Sequence, residues 1–535
     1  MLMAEAAPYR RFRAPQEDGQ TLVEPPRQSL GDVVARNRAQ LARLDYEMQG
    51  TSLAALAAGA RRSLVEQAVA YTSQYRDVSH RHLAAQQAGG PMILSGHQPQ
   101  LFHAGVWFKN FVLGDLAQEV GGAAIHLLID SDLCREVSIR VPTGSVDAPL
   151  VESVPLDRAA AEVPYEERRV ADDATFRIFA DRVGQLLRPF VGDPLVRSLW
   201  PLVLDGNHGE RNLGRRIAQG RHRLEAELGN DTLELPQSRV CQLPEFSWFM
   251  AHLLAHLPRF WSAYNDSLAS YRQIHGFRNR AHPVPDLAES DGWLEAPFWM
   301  WTADDLRRQA VFARQQGNAL LVSNRRGHTI TLTLSADQDA DLAVDELADA
   351  AARGIKLRTR ALATTLFARL LASDLFLHGI GGAKYDQVTD DIARRFFGFS
   401  LPEYATASAT LRLPIPHLTA GTDELRAVRH QLRDLTFHPE RHLPAGGVLE
   451  AALAIAAEKQ RWINTAKSLE NAQARHVAIT AANASLQPFV APHRVQLEGE
   501  RAGIELRLAQ DAILESREYS FCLFPREHFE RLLHR

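Results

Sequence analysis

The sequence predicts an α/β protein built on a parallel sheet, and three observations carry that prediction. The apolar run Met92-Ile93-Leu94 leads into a glycine-bearing loop and then a segment in which Val112, Leu113, Leu116 and Val120 share one helical face. A second apolar run, 123–129, stops at Asp130-Ser131-Asp132. Much later, Leu375-Phe376-Leu377-His378 ends at Gly379-Ile380-Gly381-Gly382 and opens another helix. Short buried strands alternating with helices are the pattern of a parallel sheet, here completed from a distant part of the chain.

Taken in order, residues 1–90 read as an arm followed by helices. A polar, proline-bearing stretch runs to 27, and alanine-rich helical spacing from Leu30 to about Gln87 includes Leu41, Leu44, Leu53, Leu56 and Leu64. Residues 91–160 hold the first part of the core. Residues 161–275 are its helical part, with helices expected over 176–187, 215–228 and 246–271. From 276 to 345 the texture changes to a β-containing insertion. It has Pro283, Pro285 and Pro297, the aromatic patch Phe298-Trp299-Met300-Trp301, and strand-like runs at 319–322 and 329–334. Residues 346–417 return to the core through a helix over 362–371. The remainder, 418–535, reads as a helical coiled-coil arm with a C-terminal tail. Leu425, Val428, Leu432 and Leu435 repeat at 3-4-3 spacing, a short heptad seam. A long helix is expected after Gly446-Gly447, stopped by Pro488, with a third helical stretch after Pro492.

Bulk composition narrows the class more than the function. The chain has 535 residues, 45% hydrophobic and 23% charged, as expected of a globular protein with several structural units. A net charge of −4 gives no bulk attraction to nucleic acid or to an anionic membrane. The N-terminus lacks the apolar core of a signal peptide, and no apolar run approaches the roughly 20 residues that span a bilayer. Three scattered cysteines, Cys134, Cys241 and Cys522, fit a reducing compartment and neither a disulfide framework nor a cysteine-built zinc site. A cytoplasmic protein acting on a small molecule, without nucleic acid or membrane partners, is the expectation.

The loop Ser95-Gly96-His97-Gln98-Pro99-Gln100-Leu101-Phe102-His103-Ala104-Gly105 is the densest functional signal, with Lys109 one helical turn further on. Strand, glycine-bearing loop and helix present unpaired backbone N–H groups to a ligand. His97, His103 and Lys109 there would neutralise phosphate charge; alternatively the histidines are ordinary loop and cap residues. Asp130 and Asp132, at the carboxyl end of the next strand, face the ligand crevice of such a sheet, and an Asx turn or helix cap is the equal alternative. The junction Gly379-Ile380-Gly381-Gly382 with Lys384 and Tyr385 lacks Walker A spacing, so it is either a tight turn or a close-approach loop. Arg278–His282 is dense in guanidinium and could equally be a solvated loop. Cys134 has no evident base partner and reads as packing.

Phe102-His103-Ala104-Gly105 partly matches the His-x-Gly core of the HIGH signature of nucleotidylyl transferases, with Val106 in place of the second histidine and no Lys-Met-Ser-Lys-Ser loop. Collinear with this, the chain resembles the bacillithiol-biosynthesis cysteine-adding enzymes, the BshC-type cysteine ligases. Gly96–Ala104 falls on that family's Gly-Gln-Gln-x-Gly-Leu-Phe-Thr-Gly loop, and Asp130-Ser131-Asp132-Leu133 with Glu136-Val137 on its acidic motif. Leu357-Arg358-Thr359 falls on its Leu-Arg-Pro segment, and His378–Tyr385 on its Gly-Gly-Pro-Gly-Glu-x-x-Tyr junction. His97, His103, Ser131 and Gly382 depart from the family residues.

The resemblance implies a Rossmann-like core of the HIGH-type nucleotidylyl-transferase kind with connecting insertions, and a coiled-coil arm that supports a homodimer. It also implies ligation of cysteine to a glucosaminyl malate amine, although another amine or acid substrate stays open. The expected chemistry is ATP-linked, through an adenylate or acyl phosphate and with Mg²⁺ on the nucleotide. The catalytic residues expected are His97, His103, Lys109, Asp130 and Asp132. Gly96, Gln98, Gly105, Arg358, Gly379, Gly381, Gly382, Lys384 and Tyr385 are expected to bind substrate or nucleotide. A catalytically degenerate scaffold and a metal-dependent hydrolase using His97, His103 and Asp132 are the competing readings.

Overall fold

The computed structural model describes residues 10–205, 209–279, 281–417, 419, 421–444 and 450–534. Two compact units divide the chain. One comprises residues 1–141, 152–414 and 517–535; the other comprises 142–151 and 415–516. The C-terminal tail expected to belong with the arm therefore clusters with the core unit instead.

The larger unit is mixed α/β. Its main sheet holds six strands: β1 (Thr21–Glu24), β2 (Met92–His97), β3 (Ala123–Leu128), β4 (Leu233–Pro236), β10 (Leu375–His378) and β11 (Ala405–Ala409), in the spatial order β1-β11-β10-β2-β3-β4. Every neighbouring pair is parallel except β1–β11. Part of the expected N-terminal arm is thus an edge strand. In chain order the five parallel strands run 3-2-1-4-5, so the order reverses between β2 and β10. Such a reversal opens a crevice at the carboxyl ends of the two strands.

Side-chain alternation divides the sheet faces. Met92, Leu94, Ile125, Leu127, Leu233 and Leu235 share one core with helix α1 (Leu53–Thr72), through Leu56, Ala60 and Leu64. On the other face Ile93 is apolar, but Ser95, His126 and Glu234 are polar. Register places Ser95 beside His126 and His126 beside Glu234, a row across three strands on one face. Helix α2 (Ala104–Glu119) brings Lys109 to Ser95, and helix α3 (Leu213–Glu227) brings Arg221 to Glu234.

The insertion is an antiparallel sheet of β5 (Trp293–Thr302), β6 (Gln309–Gln316), β7 (Ala319–Ser323), β8 (Thr329–Thr333) and β9 (Ile355–Thr359), ordered β8-β7-β6-β5-β9. Strand β9 carries Arg358 and pairs with β5, so this sheet draws residues from the segment expected to resume the core. The aromatic patch lies on β5, where Phe298 and Met300 are fully buried. Helix α4 (Ile380–Phe396) follows β10 directly. The expected helix over 246–271 is two helices, Pro244–Ala255 and Leu257–His275.

In the smaller unit, α5 (Thr422–Phe437) and α7 (Ala472–Leu514) pack Val428, Leu432 and Leu435 against Val490, Leu497 and Ile504. Helix α6 (Glu450–Asn464) precedes α7, and Gly446-Gly447 lie outside the described residues. Pro488 does not stop the helix. Both Pro488 and Pro492 sit inside the 43 residues of α7. An interior proline costs roughly 3 kcal/mol; the apolar seam on the opposite face, with Val490 and Leu497 on either side of Pro492, offsets it.

Candidate functional site

The two glycine-bearing corners follow neighbouring strands. Leu377 of β10 pairs with Ser95 of β2, so His378 and Gly379 stand one and two residues beyond that pair, alongside Gly96 and His97. The Ser95 hydroxyl donates to the Leu377 carbonyl at 2.8 Å across a separation of 282 residues.

The first corner is built around its histidines, and neither is cationic. His97 stands edge-on to Phe102, with ring centroids 4.9 Å apart, and its Nδ1 lies 3.2 Å from the Gln98 carbonyl. Burial, reinforced by Lys109, lowers His97 to about 3. His103 caps α2: its Nδ1 accepts from the Gly105 N–H at 3.1 Å, which requires that nitrogen to be unprotonated. Burial lowers His103 as well. The expected charge-neutralising histidines are therefore neutral imidazoles. Gly105 is required by packing, since a Cβ there would lie 2.3 Å from the Ala409 carbonyl oxygen of β11.

Lys109 departs from expectation more sharply. It is fully buried, and its ammonium group donates to Ser95 Oγ on the sheet rather than facing the crevice. Burial and the nearby Arg221 bring it down to about 7. It is a buried amine beneath the site and does not reach a phosphate in the crevice.

The acidic turn after β3 joins the first corner directly. Gln98 Nε2 donates to Asp132 Oδ2 at 2.9 Å, and Arg308 of the insertion donates to Asp132 Oδ1 at 3.0 Å and to the Ser131 carbonyl at 3.2 Å. Asp132 keeps 38% of its side chain exposed, which leaves it open to a ligand. Asp130 does not: it is buried, and its two oxygens accept from the Ser238 N–H at 2.8 Å and hydroxyl at 2.5 Å. Burial, with Glu166 adding to it, raises Asp130 to about 6. Its role is to hold the turn after β4, not to meet an amine. Arg358 is likewise committed. It grips Glu166 through Nε at 2.8 Å and Nη2 at 3.0 Å, while the Glu166 N–H donates to the Asp130 carbonyl at 2.8 Å. Gln98, Asp130, Asp132 and Arg358 are therefore brought together, through Glu166, Ser238 and Arg308, which sequence reasoning did not single out.

At the second corner, a Cβ on Gly379 or Gly381 would meet none of the described residues within 4 Å. Gly382 has no such room, because its Cβ would meet His378 Nδ1 at 2.6 Å. Among the described residues no side chain caps helix α4 and its first turn holds no acidic residue, so none of them neutralises its N–H groups and positive dipole end. Lys384 is exposed and Tyr385 half-buried. Beneath the corner, His378 Nε2 and Arg369 Nη1 both meet Asp386 Oδ2 at 2.8 Å, all three residues being buried.

A pocket of about 140 Å³ adjoins the first corner, walled by Leu101, Ile139, Leu156, Leu213 and Ile217, with Tyr165 among its polar groups. Cys134 is buried and its thiol is pushed up, which keeps it protonated. Among the described residues no group of three His, Cys, Asp or Glu side chains gathers as a metal-ligand set. No helix among the described residues is long and apolar enough to cross a membrane. No family model matches the chain, and no curated protein matches it either.

Proposed function

We propose that the crevice between β2 and β10 binds the phosphates of an adenine nucleotide, and that the protein is an ATP-linked ligase joining an amino acid such as cysteine to a small amine. The observation that carries this reading is the reversal of strand order at two glycine-bearing corners, which is also the order of a Rossmann-like nucleotidylyl-transferase core. The uncapped first turn of α4, with Gly379 and Gly381 open above it, supplies N–H donors for phosphate oxygens. Asp132, the exposed carboxylate of the acidic turn, takes the ammonium of a substrate or the Mg²⁺ that arrives on the nucleotide. Neutral His97 and His103 serve as hydrogen-bond partners rather than as cations.

The chemistry this arrangement suits is attack of a substrate carboxylate on the α-phosphorus, releasing pyrophosphate. The amine then attacks the acyl carbon, AMP departs and the amine loses a proton. Thermal unfolding with ATP, ADP, AMP and cysteine tests the reading. A ligand at a hundredfold its Kd stabilises by about 2.7 kcal/mol, so ATP raises the melting midpoint measurably. A flat response to every nucleotide, with no AMP formed from ATP, cysteine and a glucosaminyl malate, overturns it in favour of a scaffold.

A further inference from the structure

We propose that a second small-molecule site, separate from the crevice, lies in a cavity of about 410 Å³ beside α4 and takes a zwitterionic α-amino acid. The volume falls within the range of small-molecule sites, roughly 300–1,000 Å³. Its lining includes four arginines and three carboxylates, which suits an occupant that carries charge of both signs.

The charges are unevenly matched. Arg394 and Arg395 both lean on one carboxylate, Asp391, at 3.1 and 2.8 Å. Arg394 makes no second ion pair among the described residues, so part of its guanidinium edge is open to an incoming carboxylate. Asp390 accepts from Arg369 through Oδ1 at 2.7 Å, and its Oδ2 meets no donor among the described residues. That oxygen suits an ammonium group. Arg369 is 2% exposed, and its Nε lacks an acceptor among the described residues. A buried donor left in this state costs free energy that a ligand or bound water recovers. Leu401 and Ile274 leave an apolar patch for a short side chain.

The cavity is also connected to the crevice. Arg369, which lines it, donates to Asp386 Oδ2, and the same oxygen meets His378 Nε2 at the end of β10. An ammonium on Asp390 alters the field at Arg369 and Asp386, and through them the orientation of His378. Occupancy of the cavity thus regulates the crevice; this last step alone rests on the crevice being functional.

Calorimetric titration of the full chain with L-serine, propionate and ethylamine tests the site without any nucleotide. Wild-type protein binds L-serine saturably. Arg394→Gln weakens L-serine and propionate at least tenfold. Asp390→Asn, which keeps an oxygen for Arg369, weakens L-serine and ethylamine tenfold but leaves propionate unchanged. Unchanged melting midpoints establish that both variants fold. Absence of saturable L-serine binding overturns the site, and so does binding that neither variant alters. A His378 ring ¹⁵N resonance that shifts with L-serine supports the coupling, and one that stays fixed under saturation overturns that step.

Discussion

Lys109 donates to Ser95 Oγ from a fully buried position, and the same hydroxyl donates to Leu377 on the strand across the crevice. The contact makes the stability of the core pH-dependent. Lys109 holds its proton only below about 7 in the folded chain, whereas the unfolded chain keeps it to the ordinary lysine range. Between those values the unfolded state binds more protons, so this group's contribution to stability rises with pH. Below the window the cost of burying the ammonium is felt in full. Lys109→Met is therefore expected to gain on wild type near pH 6. That gain should shrink by a few kcal/mol towards about pH 10, since each pH unit crossed inside the window is worth about 1.4 kcal/mol. Urea unfolding of both proteins at the two pH values measures this. A difference that does not change with pH would mean the amine is not depressed.

The glycines of the two corners answer to different constraints. At Gly105 an added methyl collides with a backbone oxygen of β11, which cannot rotate away. Gly105→Ala should cost about 1–3 kcal/mol, the usual range for overpacking. At Gly381 an added methyl would meet nothing within 4 Å among the described residues beyond its own helix, and the backbone is helical. Gly381→Ala should stabilise by roughly 0.4–1 kcal/mol by restricting the unfolded chain. Equal effects in chemical denaturation would contradict the close approach at Gly105.

Trp107 is fully buried, stacked on Phe529 at 4.0 Å and against Phe521 at 4.3 Å, with its indole N–H on Glu225 at 2.8 Å. Both phenylalanines come from the tail after residue 516. Deleting residues 517–535 strips one side of this cluster, and the loss should be at least about 3 kcal/mol, the scale of removing a large buried aromatic. Tryptophan fluorescence during denaturation reports it. An unchanged midpoint would show that the tail is a cover and not part of the core.

How much of this was legible in the sequence depends on the range over which each signal acts. The strand–glycine–helix corners at 96–105 and 378–382 are encoded locally, so their position at adjacent strand ends followed from alternation and the rules of parallel sheets. The state of Lys109 was not local. Its depressed basicity comes from burial between α2, which carries it, and the sheet, together with Arg221, more than a hundred residues away. The same holds for Asp130, whose partner Ser238 follows β4, and for Arg358, whose partner Glu166 lies in a short turn with no motif around it. Arg308 left no trace, since one arginine before a strand of the insertion looks like any exposed cation. The prolines of α7 failed in the opposite sense: a reliable local breaker was overruled by apolar packing along the helix.

The outer face of α7 gives the last prediction. Val477, Ala481, Ala484, Pro488, Ala491 and Val495 are all exposed and follow 4-3-4-3-4 spacing; Glu498 interrupts the stripe, which resumes at Ala502, Leu506 and Ala509. The seam buried against α5 uses other positions, Val490, Leu497 and Ile504. A helix with a second heptad stripe buries it best against a copy of itself, because the stripe is self-complementary about a two-fold axis. Val495 is 68% exposed and Leu506 61%, large apolar side chains in a row of small ones. We expect a homodimer through this face. Val495→Glu combined with Leu506→Lys should shift the mass measured by light scattering from dimer to monomer while leaving the stability of the monomeric core within about 0.5 kcal/mol, as for ordinary surface substitutions. A wild-type chain that is monomeric at micromolar concentration, or a dimer that survives both substitutions, would place the contact elsewhere or remove it.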